Sequence, residues 1–109
     1  MIAVIFEVWP STTGEAAYLE LAASLTKQLA SHDGLISIER FRSLTEEGKL
    51  LSLSIWRDEA AVRGWRTNLA HRSAQTHGRA GLFRDYRLRV ASIQRDYGLT
   101  NRTEVPDDG

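Results

Sequence analysis

The chain has no cysteine, one methionine and only two prolines in 109 residues. Without cysteine there can be no disulfide, no thiolate nucleophile and no cysteine-ligated metal. The three histidines, His32, His71 and His77, offer no close-spaced ligand pair with a carboxylate, so the sequence makes no case for a metal centre. Glycine-rich phosphate loops and nucleophile elbows are also missing. No apolar run approaches the roughly 20 residues of a membrane-spanning helix. The N-terminus lacks the basic region and cleavage site of a signal peptide, which predicts a cytoplasmic protein without membrane association. The length suits one domain with an ordinary hydrophobic core.

An overall charge of one sign is lacking too: 14 basic side chains balance 14 acidic ones. The balance is uneven along the chain. Residues 57–102 carry ten arginines against four acids, whereas residues 1–56 carry four basic and seven acidic groups. A nucleic-acid surface is the sharp interpretation of that excess. The arginines are dispersed rather than clustered, which instead predicts a solvated helix face and alternate strand positions, with no nucleic-acid partner.

What is present is strong periodicity. Ile2 to Trp9 alternates as a strand that is apolar on both faces, with Ile2, Val4, Phe6 and Val8 in one row and Ala3, Ile5 and Trp9 in the other. Glu7 interrupts the second row, and Pro10 ends the strand. Thr12 and Glu15 have the spacing of a capping box, which predicts a helix with Tyr18, Leu21, Ala22, Leu25 and Leu29 on one stripe. That helix frays near His32, which is expected in a solvated last turn without a catalytic role. Leu35 to Ser43 reads as a second strand, with Ile36 and Ile38 on one face and Leu35 and Phe41 on the other. A polar turn ending at Gly48 leads into a third strand, Lys49 to Trp56. Asp58 supplies an N-cap for a second helix, which carries Trp65, Asn68, His71, Arg72 and Gln75. Tyr86, Leu88, Val90 and Ile93 mark a fourth strand. Residues 1–98 form one domain, and residues 99–109 are a polar tail, expected to be mobile unless a partner chain holds it.

The order βαββαβ is that of a ferredoxin-like α+β sandwich with a four-stranded antiparallel sheet. Two helices cover only one face of such a sheet. A first strand apolar on both sides therefore predicts a homodimer, in which a second copy covers the other face. Which of the two alternating rows is the uncovered one does not follow from the pattern. Phe6 and Leu53 are both candidates.

Several of these residues resemble a known family. The strand-ending Trp56-Arg-Asp-Glu-Ala-Ala, then Trp65, then His71-Arg-Ser-Ala-Gln75 and Gly78-Arg79, are similar to the antibiotic biosynthesis monooxygenase family of dimeric α+β barrel proteins. The resemblance covers roughly residues 1–98. It implies a dimer whose sheets pack together, with one pocket per subunit between sheet and helices. Some members oxidise aromatic polyketides with molecular oxygen and no flavin, metal or other cofactor. A related branch degrades heme, using an asparagine on the first strand and a tryptophan and histidine on the second helix. Here Glu7 stands at the asparagine position and the step from Trp65 to His71 is shorter, so the heme reading is disfavoured. A non-catalytic dimeric ligand-binding or stress-associated protein is the other alternative.

The expected site takes its aromatic wall from Trp65, which shares a helical face with Val62 and Leu69 and so points at the sheet. His71 has a side chain suited to taking a phenolic proton near neutral pH. It lies about 120° around the helix from Trp65, a direction equally suited to a solvated histidine. Asn68 and Arg72 flank the Trp65 direction more closely and are expected to hold a ligand oxygen or a developing oxyanion. Glu7, Phe83 and Tyr86 are further substrate-binding candidates. Each also has a plainer reading: core filling for Trp65, Phe83 and Tyr86, and an ion pair with Arg72 for Glu7. Because side chains alternate, a one-residue slip of the first strand would turn Glu7 to the opposite face.

Overall fold

The computed structural model describes residues 1–12, 14–66 and 83–107. Its elements are β1 (Ile2–Pro10), α1 (Glu15–Leu29), β2 (Leu35–Arg42), β3 (Leu50–Trp56), α2 (residues 59–66 of the described chain) and β4 (Phe83–Ser92). The strands form one antiparallel sheet in the order β2-β3-β1-β4, with β1 and β3 in the centre. This is the ferredoxin-like α+β fold. Among the described residues, no helix is long and apolar enough to cross a membrane.

Side-chain alternation divides the sheet into two faces. Ile2, Val4, Phe6 and Val8 of β1 look toward the helices, as do Leu50, Ser52, Ser54 and Trp56 of β3 through the pairs Val8↔Leu50 and Ile2↔Trp56. Two clusters fill this side. Val8 and Leu50 pack with Tyr18 and Ala22 of α1, and Trp56 packs with Leu29, Ala61 and Val62. Trp56 is fully buried, and its indole N–H donates to Ser54 Oγ at 2.9 Å. The opposite face carries Ala3, Ile5 and Glu7 of β1, Leu51, Leu53 and Ile55 of β3, and Phe41 of β2. It has no helix over it among the described residues. Phe6 is thereby excluded from the uncovered row, and Leu53 belongs to it.

Two local expectations are corrected. The Thr12–Glu15 capping box does not form: Gly14 is the N-cap, without a side-chain cap bond, and Glu15 pairs with Arg42 at 2.8 Å. In β2 a register shift between Leu35 and Ser37 inserts a bulge at Ile36. The bulge brings Leu35 and Ile38 onto the same helix-facing side and leaves Ile36 exposed.

Helix α2 begins as expected. The Ala61 amide donates to the Asp58 carboxylate at 2.9 Å, which satisfies one of the unpaired amides of the first turn. Arg57 ties this start to the α1–β2 loop. Its guanidinium bridges Asp33 at 3.2 Å and Asp58 at 2.9 Å, and its amide donates to the Gly34 carbonyl at 2.7 Å. Both carboxyls are held below their ordinary range by hydrogen bonds from Arg57 first of all. Beyond β4, Ile93 adds a last amide bond to the Met1 carbonyl, and the tail forms a local turn with Gly98 N–H on the Asn101 carbonyl at 2.8 Å.

Candidate active site

The helix-facing side of β1 and β4 forms an apolar floor. Val4 lies beside Val90, Phe6 beside Leu88 and Val8 beside Tyr86. Six residue steps from Ile2 to Val8 give it a length of roughly 20 Å. At the Ile2 and Val4 end the floor meets the cluster of Leu29, Trp56, Ala61 and Val62, against which the half-buried Trp65 also packs. At the other end four rings meet. Phe83 lies 6.3 Å from Phe6 and 5.5 Å from Tyr18 between ring centres, and Tyr86 lies 5.7 Å from Phe6. These are edge-on or tilted arrangements, the favourable kind for aromatic pairs. Phe83 and Tyr86 keep 37% and 59% of their surface exposed, so neither is sealed core. Tyr18 is buried, which raises its phenol pKa, with Arg40 opposing the shift.

Trp65, Phe83 and Tyr86 therefore lie on one side of the sheet. Glu7 does not join them. It lies on the open face, where Lys49 contacts its carboxylate at 2.6 Å and Arg89 makes a second ion pair. Those partners, Lys49 foremost, hold the Glu7 carboxyl below its ordinary range against the opposing effect of burial. Lys49 also stacks 5.0 Å above the Trp9 ring, whose N–H donates to Glu46. The physical reason for Glu7's placement is strand parity: Val8 and Phe6 take the helix side, so their neighbour between them cannot. The candidate catalytic residues Asn68, His71 and Arg72 lie outside the described residues.

One residue at this end was missed by sequence reasoning. His32 is not a solvated helix-end histidine. Its ring sits edge-on to Trp56 at 5.6 Å and to Trp65 at 6.1 Å, with Nε2 3.2 Å from the Ala61 carbonyl. Nothing in its local sequence signals this, because all three partners come from β3 and α2.

On the open face a shallow depression of about 320 Å³ lies between Ile5, Phe41, Lys49 and Leu51. It is mainly apolar, with the Glu7–Lys49 pair at its edge.

The sequence model of the antibiotic biosynthesis monooxygenase family matches residues 1–77. The chain belongs to this family. A jasmonate monooxygenase of the fungus Pyricularia oryzae is 46% identical over 93 residues, which cover 85% of this chain and 43% of that protein. The chain thus spans under half the length of this relative. Among solved structures, a Deinococcus radiodurans protein described as an antibiotic biosynthesis monooxygenase superposes with a TM-score of 0.77 at 13% identity, covering 91% of this chain and 98% of that one. A mutant form of SnoaB, a cofactor-independent oxygenase from Streptomyces nogalater, gives 0.69 at 14% identity, over 87% and 95% of the two chains. At these identities the structural likenesses establish the fold of the antibiotic biosynthesis monooxygenase domain and no more.

Proposed function

We propose that this antibiotic biosynthesis monooxygenase domain oxygenates a small ring-bearing molecule, aromatic or phenolic, held between α2 and the sheet, and uses molecular oxygen without a cofactor. The observation that carries the proposal is the half-buried Trp65, packed on the cluster at one end of an apolar floor whose other end keeps Phe83 and Tyr86 exposed. Flat walls of this kind bind planar ligands by area and ring contact, and they exclude water from the reacting carbon. The residues proposed to act on the ligand are His71 as base and Asn68 and Arg72 as donors to a developing oxyanion. Removing the phenolic proton, from a substrate whose keto form carries a CH₂ group, gives an electron-rich anion. That anion reduces O₂ as a C–O bond forms, and the resulting hydroperoxide collapses to a carbonyl and water. One oxygen atom stays in the product, the other leaves as water with the two hydrogens of the CH₂ group, and the substrate is its own reductant.

The name of the Pyricularia oryzae relative adds a second ring-bearing class to test, the alicyclic carboxylate jasmonate. Oxygen uptake with a panel of phenols, anthrones and jasmonic acid separates these classes. Uptake with none of them, together with saturable binding, would support a non-catalytic ligand-binding protein instead. A Soret shift at stoichiometric heme would favour the heme branch.

The functional unit in this proposal is a homodimer joined through the open sheet faces. Ile5, Leu51, Leu53 and Ile55 form an apolar row across the two central strands, beside an exposed Phe41. A two-fold axis lets that row cover itself. The interface should bury more than roughly 1,000 Å² in total.

Trp65→Phe separates the wall reading from core filling. As a wall, it should keep most of the stability and weaken binding of a flat aromatic by ~1 kcal/mol. As core filler, Trp65→Ala should lower stability by a few kcal/mol, about 3–5 for a buried tryptophan, with affinity per folded molecule unchanged.

A further inference from the structure

Three segments converge on the base of Trp65. The end of α1 brings His32, whose amide donates to the Leu29 carbonyl at 2.8 Å and whose carbonyl accepts from Leu35 at 3.3 Å. The end of β3 brings Trp56, and the start of α2 brings Ala61 and Trp65. The backbone at His32 is thus anchored on both sides, and its ring is the part that reaches across. Nε2 lies 3.2 Å from the Ala61 carbonyl, so it carries the proton and donates, while the ring stands at a steep angle to both indoles. Gly64 leaves the near side of the imidazole uncrowded: a Cβ there would lie 3.7 Å from it.

A buried tryptophan such as Trp56 has its position set by packing on all sides. Trp65 is less enclosed: it packs against the cluster of Leu29, Trp56, Ala61 and Val62 but stays partly exposed, so its position depends on the few groups that touch it. Among the described residues, His32 is the polar group in ring contact with it. We propose that His32 is a positioning residue for Trp65: its imidazole locks the first turn of α2 through Ala61 and backs the Trp65 ring, which sets the depth of the ligand wall. The inference rests on the reading of Trp65 as a ligand wall. It assigns to His32 no contact with substrate and no proton transfer.

The test uses the whole chain and 1-naphthol as a flat phenolic probe, with affinity measured in a double-mutant cycle of His32→Ala and Trp65→Ala. His32→Ala alone should weaken the probe by about fivefold, a typical coupling between contacting residues. In the Trp65→Ala background the same change should have no further effect. His32→Gln places an amide N–H where Nε2 was, and it should recover part of the loss while leaving the fold intact. A ligand-free readout runs beside it. The emission lost in Trp65→Phe isolates the Trp65 component, which should shift to the red in His32→Ala as the ring is released into water. A merely structural role for His32 would lower stability in both backgrounds without making the affinity effect depend on Trp65. Additive affinity losses, or an unshifted Trp65 emission, overturn the positioning role and leave the wall reading standing. If Trp65→Ala itself leaves naphthol affinity unchanged, the wall reading fails and the positioning role falls with it.

Discussion

Gly34 offers a quantitative test of how tightly the base of the candidate site is built. Its φ of +88° lies in the left-handed region, and a Cβ added there would sit 2.4 Å from the Cβ of Ala61 on α2. Gly48 shares the backbone conformation at +81° but has nothing within 4 Å. The pair therefore separates two effects. Forcing alanine into a left-handed conformation costs about 1–2 kcal/mol, offset by about 0.4–1 kcal/mol from the smaller entropy of the unfolded alanine chain. Gly48→Ala should accordingly lower stability by no more than ~1.5 kcal/mol. At position 34 the same strain is joined by a contact more than 1 Å inside the ~3.5–4.0 Å at which carbon atoms rest. Ala61 is 8% exposed and cannot simply move away, since its amide is held by Asp58 and its carbonyl by His32. Overpacking of this kind adds about 1–3 kcal/mol. Gly34→Ala should therefore be destabilised by roughly 1–3 kcal/mol more than Gly48→Ala in urea unfolding with an unchanged m-value. Equal losses at the two positions would refute the close approach of the α1–β2 loop to α2.

Other variants test the remaining features. Leu53→Lys puts a charge on the open face and should convert a dimer to monomer in sedimentation at micromolar concentration, whereas Phe6→Lys, on the helix side, should unfold the chain. Asp58→Ala removes the cap of α2 and one partner of Arg57, and should lower stability by ~1–2 kcal/mol in urea unfolding. Because the Glu7 carboxyl is held below its ordinary range, its ion pairs stabilise the fold at neutral pH. That contribution fades as pH falls through the depressed value, so Glu7→Gln should flatten the acid limb of a urea-midpoint profile. Gly64→Ala replaces a poor helix former at a site with room for a methyl group, and should raise stability by up to ~1 kcal/mol.

The strands were legible because apolar residues alternate over runs bounded by Pro10, Gly34 and Gly48. The two rows of β1 were not distinguishable, since both are apolar. Only the packing of Tyr18, Ala22 and Leu29 against Val8 and Trp56 decides which row turns inward. The face that Glu7 takes was open for the same reason. The bulge at Ile36 has no glycine to mark it, so the faces of β2 could not be read by counting alternate residues. Thr12 and Glu15 had the spacing of a capping box, but the helix starts after Gly14, which makes Glu15 its first residue and leaves it to pair with Arg42. The cap at Asp58 was legible because its partner is three residues away. His32 was not, because Ala61, Trp56 and Trp65 lie 24 to 33 positions further along.

The central strand has a consequence for how this domain tolerates change. Along β1, consecutive residues address different audiences: Val4, Phe6 and Val8 the helices and the floor, Ile5 and Glu7 the open surface with its Lys49 and Arg89 pairs. Two messages are interleaved in one stretch of chain at alternate letters. Point substitutions should hence produce clean, separable phenotypes even between neighbours. Deleting a single residue within the strand would exchange the two sets from there on, driving Glu7 into the aromatic cluster and Phe6 out of it. Variation within β1 should accordingly be confined to replacement, with insertions and deletions displaced to the turns around Pro10 and Gly48.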